Sequence, residues 1–77
     1  MDQRRAELIT RTLLLDGEET ELCLEMAFWD ALMLMADDKR KSVIAIIEDA
    51  SDNSDARDLS SAVRLFVLDH YRGRQRS

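Results

Sequence analysis

The chain has 77 residues, 45% of them hydrophobic, a formal charge of −5 and a single cysteine. That length has room for one domain and buries too small a fraction of its surface for comfortable stability alone, while the hydrophobic content excludes a disordered acidic chain. Cys23 cannot form an internal disulfide and suits a reducing, cytoplasmic setting; the longest apolar run, Ala31 to Ala36, is far below the roughly 20 residues that span a bilayer, so no membrane partner is expected.

Residues 1–8 (MDQRRAEL) read as an N-terminal arm, with Arg4 and Arg5 in it and no apolar segment able to serve as a signal peptide. Residues 9–25 then alternate as a half-buried ribbon does. Pairing Leu15 with Glu18 across an Asp16-Gly17 turn sets Ile9, Leu13 and Leu15 on one face with Thr20, Leu22 and Leu24. The other face holds Thr10, Thr12, Leu14, Glu19, Glu21 and Cys23. Arg11 is the misfit: it falls on the apolar face opposite Leu22 and marks the edge of the sheet.

A first helix is expected from about Met26 to Asp38, with Phe28, Leu32 and Met35 or Ala36 on one stripe and Trp29 and Met33 beside it. It ends in the charged turn Asp37-Asp38-Lys39-Arg40-Lys41. Ser42 suits the N-cap of a second helix reaching about Ala50, in which Val43, Ile46, Ile47 and Ala50 recur at helical spacing and Ile44 widens the stripe. That helix is more apolar than one packed face requires, which implies a partner on a second side. Residues 51–55 form a polar loop. Asp58 is the expected N-cap of a third helix running to about Arg72, where Gly73 offers a left-handed stop and a basic tail, residues 73–77, begins. Its buried stripe is Leu59, Ala62, Val63, Phe66 and Val67.

A two-stranded ribbon leaves its edges open and is marginal in water, so its apolar face needs cover. A second copy under a two-fold axis supplies that cover and pairs an edge at once. The candidate dimer core is Leu22, Leu24, Phe28, Trp29, Leu32, Ile46, Ile47 and Phe66.

The run Thr20, Leu22, Leu24, Glu25, Ala27 to Leu32, followed by Leu59 to Leu68 and Tyr71-Arg72, resembles the bacterial ribbon-helix-helix domain family over about residues 11–72. The FWDAL and LSSA-x-R-x-FVL segments carry the resemblance. It implies a mainly α fold with a short β-ribbon: an N-terminal hairpin, two helices, a third C-terminal helix, and an intertwined homodimer. It also implies a transcriptional regulator that places its ribbon in the major groove and the start of its second helix on a phosphate.

Carried onto this chain, the outward strand residues are Glu21, Cys23 and Glu25, and the phosphate-facing helix start is Lys41, Ser42 and Val43. Arg40 adds a cation beside that start, and Thr10, Arg11 and Thr12 are the candidates on the first strand. The helix start also stands on physical grounds, since free N–H groups beside Lys39, Arg40 and Lys41 favour an anion. The strand departs from the family's pattern, because two carboxylates flank a thiol where polar or basic groups are usual. Glutamate can accept a hydrogen bond from cytosine N4, but it meets a dense line of phosphate charge with no neighbouring base to offset it. The alternative is a protein-interaction module whose acidic ribbon binds a basic protein partner.

Nothing points to an enzyme, a cofactor or a metal. His70 and Cys23 are single and far apart in sequence, and Asp52, Asn53 and Asp55 lack the ligand spacing of a calcium loop. Phe28, Trp29, Phe66 and Tyr71 fill volume at helical spacing, and His70 reads as a packed side chain. The methionines of the first helix read as adaptable packing, and the acidic neighbours of Cys23 disfavour its thiolate.

Overall fold

A computed structural model describes residues 6–52 and 58–75. A two-stranded antiparallel sheet, β1 (Leu8–Leu15) and β2 (Glu18–Glu25), is followed by α1 (Met26–Lys39), α2 (Val43–Asp52) and α3 (Leu59–Gln75). The register pairs Leu15 with Glu18, Leu13 with Thr20, Arg11 with Leu22 and Ile9 with Leu24, as the alternation requires. Asp16 and Gly17 both take positive φ, 51° and 83°, the combination that lets a two-residue turn follow the twist of its strands. The ladder reaches past the strands, where the Met26 N–H donates to Glu7 O at 2.8 Å.

Each helix has a local stop or start. Arg40 closes α1 in the left-handed region (φ 55°, ψ 43°), donating its N–H to Ala36 O and Asp37 O. The Lys41 N–H reaches back to Ala36 O at 2.9 Å. Together these bonds satisfy the last carbonyls of α1 and turn the chain sharply into α2. Ser42 caps α2, its Oγ accepting the Ala45 N–H at 3.1 Å. Asp58 caps α3, accepting the Ser61 N–H at 2.8 Å. These bonds hold the Asp58 carboxyl below its ordinary pKa.

The third helix does not stop at Gly73 as expected but continues to Gln75. Glycine costs about 1 kcal/mol in a helix interior without forbidding it. Here no left-handed turn is built at Gly73. Three of the five residues expected as a tail are therefore helical, and β1 begins one residue earlier than expected, at Leu8. The second helix likewise outruns its expected end at Ala50, taking in Ser51 and Asp52, which were expected in the polar loop, and Arg4, Arg5 and the rest of that expected loop, residues 53–55, lie outside the described residues.

The core is closed within one chain. Leu22, Leu24, Leu32, Met35, Ile46, Ile47 and Val63 are fully buried, joined by Trp29, Ala36, Ala50 and Val67. Phe28, Phe66, Leu59 and Tyr71 pack around them, half-buried. Of the candidate dimer-core residues, Leu22, Leu24, Trp29, Leu32, Ile46 and Ile47 are buried within the single chain, whereas Phe28 and Phe66 stay half-buried. α3 lies over α2 and β2, and α1 lies over α2, so both apolar sides of α2 are met by helices of the same chain. Their burial gives no argument for a dimer.

Candidate nucleic-acid interface

Two surfaces carry the residues singled out in the sequence. The first is the face of the hairpin turned away from the helices. The register sets Leu8 beside Glu25, Thr10 beside Cys23, Thr12 beside Glu21 and Leu14 beside Glu19 on this face. Thr10, Thr12, Glu19 and Glu21 are exposed, whereas Cys23 and Glu25 are half-buried. Glu25 is not a free charge, because Arg64 Nε of α3 donates to its Oε1 at 3.0 Å. A backbone hydrogen bond and this guanidinium hold the Glu25 carboxyl below its ordinary pKa. Glu19 and Glu21 have no cation beside them among the described residues.

Arg11 does not join Thr10 and Thr12. It lies on the helix-facing side of β1, with its guanidinium 5.4 Å from the centre of the Trp29 ring. Strand alternation dictates this, and the indole face gives a partly exposed cation a favourable seat. Trp29 is itself fixed under the hairpin, donating Nε1–H to Ile9 O at 3.0 Å. The outer face thus offers hydroxyls, a thiol and carboxylates but no cation among the described residues.

Basic side chains are available at the α1–α2 turn. Lys39, Arg40, Lys41 and Ser42 are exposed there, and Val43 is half-buried at the helix start. No acidic residue occupies the first turn of α2, so its positive dipole end is not neutralised. The Ser42 hydroxyl satisfies the Ala45 N–H. The first N–H groups, at Val43 and Ile44, have no intrahelical acceptor by the geometry of a helix start and face outward. The three cations are placed differently. Lys39 lies 6.0 Å from the centre of the Phe66 ring. Lys41 Nζ meets Asp49 Oδ2 at 3.0 Å, with both side chains over 40% exposed. Arg40 makes no ion pair among the described residues. An exposed pair such as Lys41–Asp49 is worth about 0–1 kcal/mol, so an incoming phosphate can displace the carboxylate.

The strain at Arg40 is the feature that sequence reasoning missed. A residue with a Cβ in the left-handed region costs about 1–2 kcal/mol relative to the right-handed one, and glycine is the residue that avoids it. Here the position carries a guanidinium. The charged run Asp37 to Lys41 located the turn, but nothing in it showed which cation would occupy the left-handed place.

A shallow depression of about 560 Å³ lies between α1 and α3, lined by Ala27, Asp30, Ala31, Met33, Leu34 and Tyr71. It holds a carboxylate and no cation, so it is no phosphate site. No group of His, Cys, Asp and Glu among the described residues is arranged to hold a metal ion, and no described helix is long and apolar enough to cross a membrane.

The model of the ribbon-helix-helix domain family matches residues 8–71. Among solved structures, an uncharacterized protein from Bordetella pertussis Tohama I is similar, with 29% sequence identity and a TM-score of 0.77 over 92% of this chain. The match covers 61% of that protein, so this chain spans about three fifths of its length. No curated protein matches the chain.

Proposed function

This chain belongs to the ribbon-helix-helix domain family, and on that premise we propose that it is a DNA-binding transcriptional regulator that acts as a homodimer in the cytoplasm. The supporting observation is local. At the α1–α2 turn an arginine occupies the left-handed position that glycine would fill at least cost, immediately before a helix start with no acidic residue in its first turn. An arginine standing where glycine would be least strained points to a use for its side chain. The use that fits a guanidinium beside outward N–H groups is a backbone phosphate, with Lys41 and Ser42 completing the cradle and Val43 supplying an N–H.

Such contacts position the protein but carry no sequence information. On the ribbon, Thr10 and Thr12 are the groups suited to a base edge, with Glu21 able to accept from cytosine N4 and Cys23 half-buried beside them. The carboxylates of Glu19 and Glu21 limit how closely that face can approach two phosphate lines.

A salt-titrated mobility-shift assay on duplex DNA tests the reading. Arg40→Glu with Lys41→Glu should weaken binding to every sequence alike and flatten the salt dependence, by a slope of about 0.9 for each phosphate that is no longer neutralised. Absence of a shift with any genomic fragment at low salt would remove the proposal. The second reading, a module whose ribbon binds a basic protein surface, draws on the exposed Glu19 and Glu21. It expects protein capture that survives Arg40→Glu and fails in Glu19→Gln with Glu21→Gln.

A further inference from the structure

The apolar run Ala31 to Ala36 holds more than the core uses. Trp29, Leu32, Met35 and Ala36 bury the inner side of α1, whereas Met33 and Leu34 stand 61% and 60% exposed. One apolar stripe is enough to join a helix to a core, and apolar residues on its other side are matched to a second partner. On α3, Leu65 and Leu68 are also exposed and precede Tyr71 at three-residue spacing, so they extend the apolar surface beside it.

Met33, Leu34 and Tyr71 border the depression of about 560 Å³ between α1 and α3. Ala27 and Ala31, one turn apart on α1, line it with little side-chain bulk, so a third helix can lie close to the backbone there. A shallow trough between two helices suits the side of another helix better than an enclosed small molecule.

Charge selects the occupant. Asp30 lies in the depression and Asp37 stands two turns further along α1, both exposed and neither in an ion pair among the described residues. From Met26 to Asp38 the helix carries no cation. On α3, Arg64 is taken by Glu25, and Arg72 does not line the depression. We propose that this groove docks an amphipathic helix of a basic partner protein, with apolar residues at i, i+3, i+4 and i+7 seated between Leu34 and Tyr71 and two Lys or Arg residues seven positions apart facing Asp30 and Asp37. Seven residues advance about 10 Å along either helix, so one register serves both ion pairs. A second copy seated face to face would set Asp30 and Asp37 against the same carboxylates, between chains of −5 each. The groove uses neither Arg40 and Lys41 nor Glu19 and Glu21, so it goes beyond the DNA-binding reading and does not depend on it.

Fluorescence anisotropy of the full chain with a labelled model helix tests the site. The probe is about 18 residues long, enough to hold a helix, with leucines along one stripe and two lysines seven positions apart. Its twin carries glutamate in place of both lysines. The lysine helix should bind with a Kd of about 10–100 μM and the twin about tenfold more weakly. Asp30→Asn with Asp37→Asn should bring the two helices level. Met33→Lys with Leu34→Lys should abolish binding of the lysine helix and leave circular dichroism unchanged, since neither side chain enters the core. Glu19→Gln with Glu21→Gln should leave binding as it was. Equal binding of the two helices to the unmodified chain, or no binding of the lysine helix, overturns the proposal. Binding that survives the double lysine, or that is lost with Glu19→Gln and Glu21→Gln, places the contact elsewhere and overturns it too. So does sedimentation of the chain alone showing a self-association that the double lysine removes, because the occupant would then be a second copy.

Discussion

Replacing Arg40 with glycine should make the protein more stable and a weaker ligand for DNA. The left-handed φ of 55° at this position carries about 1–2 kcal/mol of backbone strain that glycine does not feel. Against that gain stands the larger conformational freedom of glycine in the unfolded chain, which costs about 0.5–1 kcal/mol. The net expectation is a gain of about 0.5–1 kcal/mol. For a domain of this size each kcal/mol moves the melting temperature by about 4–8 °C, so the midpoint should rise by about 2–8 °C. The hydrogen bonds from residues 40 and 41 to Ala36 and Asp37 are made by the backbone and survive the substitution. Binding should move the other way. A dimer loses two guanidiniums, and if each met one phosphate, the logarithmic salt slope should fall by about 1.8. Thermal melts followed by circular dichroism, paired with fluorescence anisotropy on labelled duplex at several salt concentrations, give both quantities. A variant that melts lower, or that binds DNA with an undiminished salt slope, would refute the account of Arg40 as a strained residue kept for its charge.

Leu24→Ala should cost about 2–5 kcal/mol, because Leu24 is fully buried by helices of its own chain. Against a total of about 4–12 kcal/mol for a chain of this length that is a large share, visible as a lowered urea midpoint. Stability should also fall on acidification. Asp58 and Glu25 are held below their ordinary pKa values in the fold by hydrogen bonds and, for Glu25, by Arg64. Their contribution is fully present above the unfolded carboxylate range and is lost as pH drops below about 4 and through the lower folded values. Asp58→Asn keeps a capping oxygen but no titratable group, so its melting temperature should decline less between pH 5 and pH 3 than that of the unmodified chain.

Much of the architecture was legible because it rests on short-range rules. Asp16-Gly17 dictated the turn, the turn dictated the register, and the register dictated which side of the hairpin faces the core. Ser42 and Asp58 announced helix starts through side chains that accept the N–H three residues on, and both do so. What failed were inferences that needed long-range partners. Gly73 was read as a stop because glycine permits a left-handed turn, but permission is not a driving force, and the helix continues to Gln75. Arg11 was placed on the correct face, but its seat over Trp29 joins residues 18 apart in sequence and could not be read from either. The charge on Glu25 is likewise met by Arg64, 39 residues away.

What covers the ribbon within the chain was not legible either. From the sequence, two strands and an oily second helix lacked cover, and a second copy was the natural supplier. Side chains of α3 answer that need inside the chain: Ser60 closes part of the β2 edge, Arg64 pairs with Glu25, and Val63 and Val67 enter the core. The largest core side chains are buried within one chain, and Leu8, Leu14, Met33 and Leu34 are left exposed outside that core. The exposed carboxylates of Glu19 and Glu21 resist deep insertion between two phosphate lines, so on the proposed reading the physical burden of DNA attachment shifts to the α1–α2 turn. Weakening that turn should therefore abolish binding, whereas neutralising Glu19 and Glu21 should strengthen it.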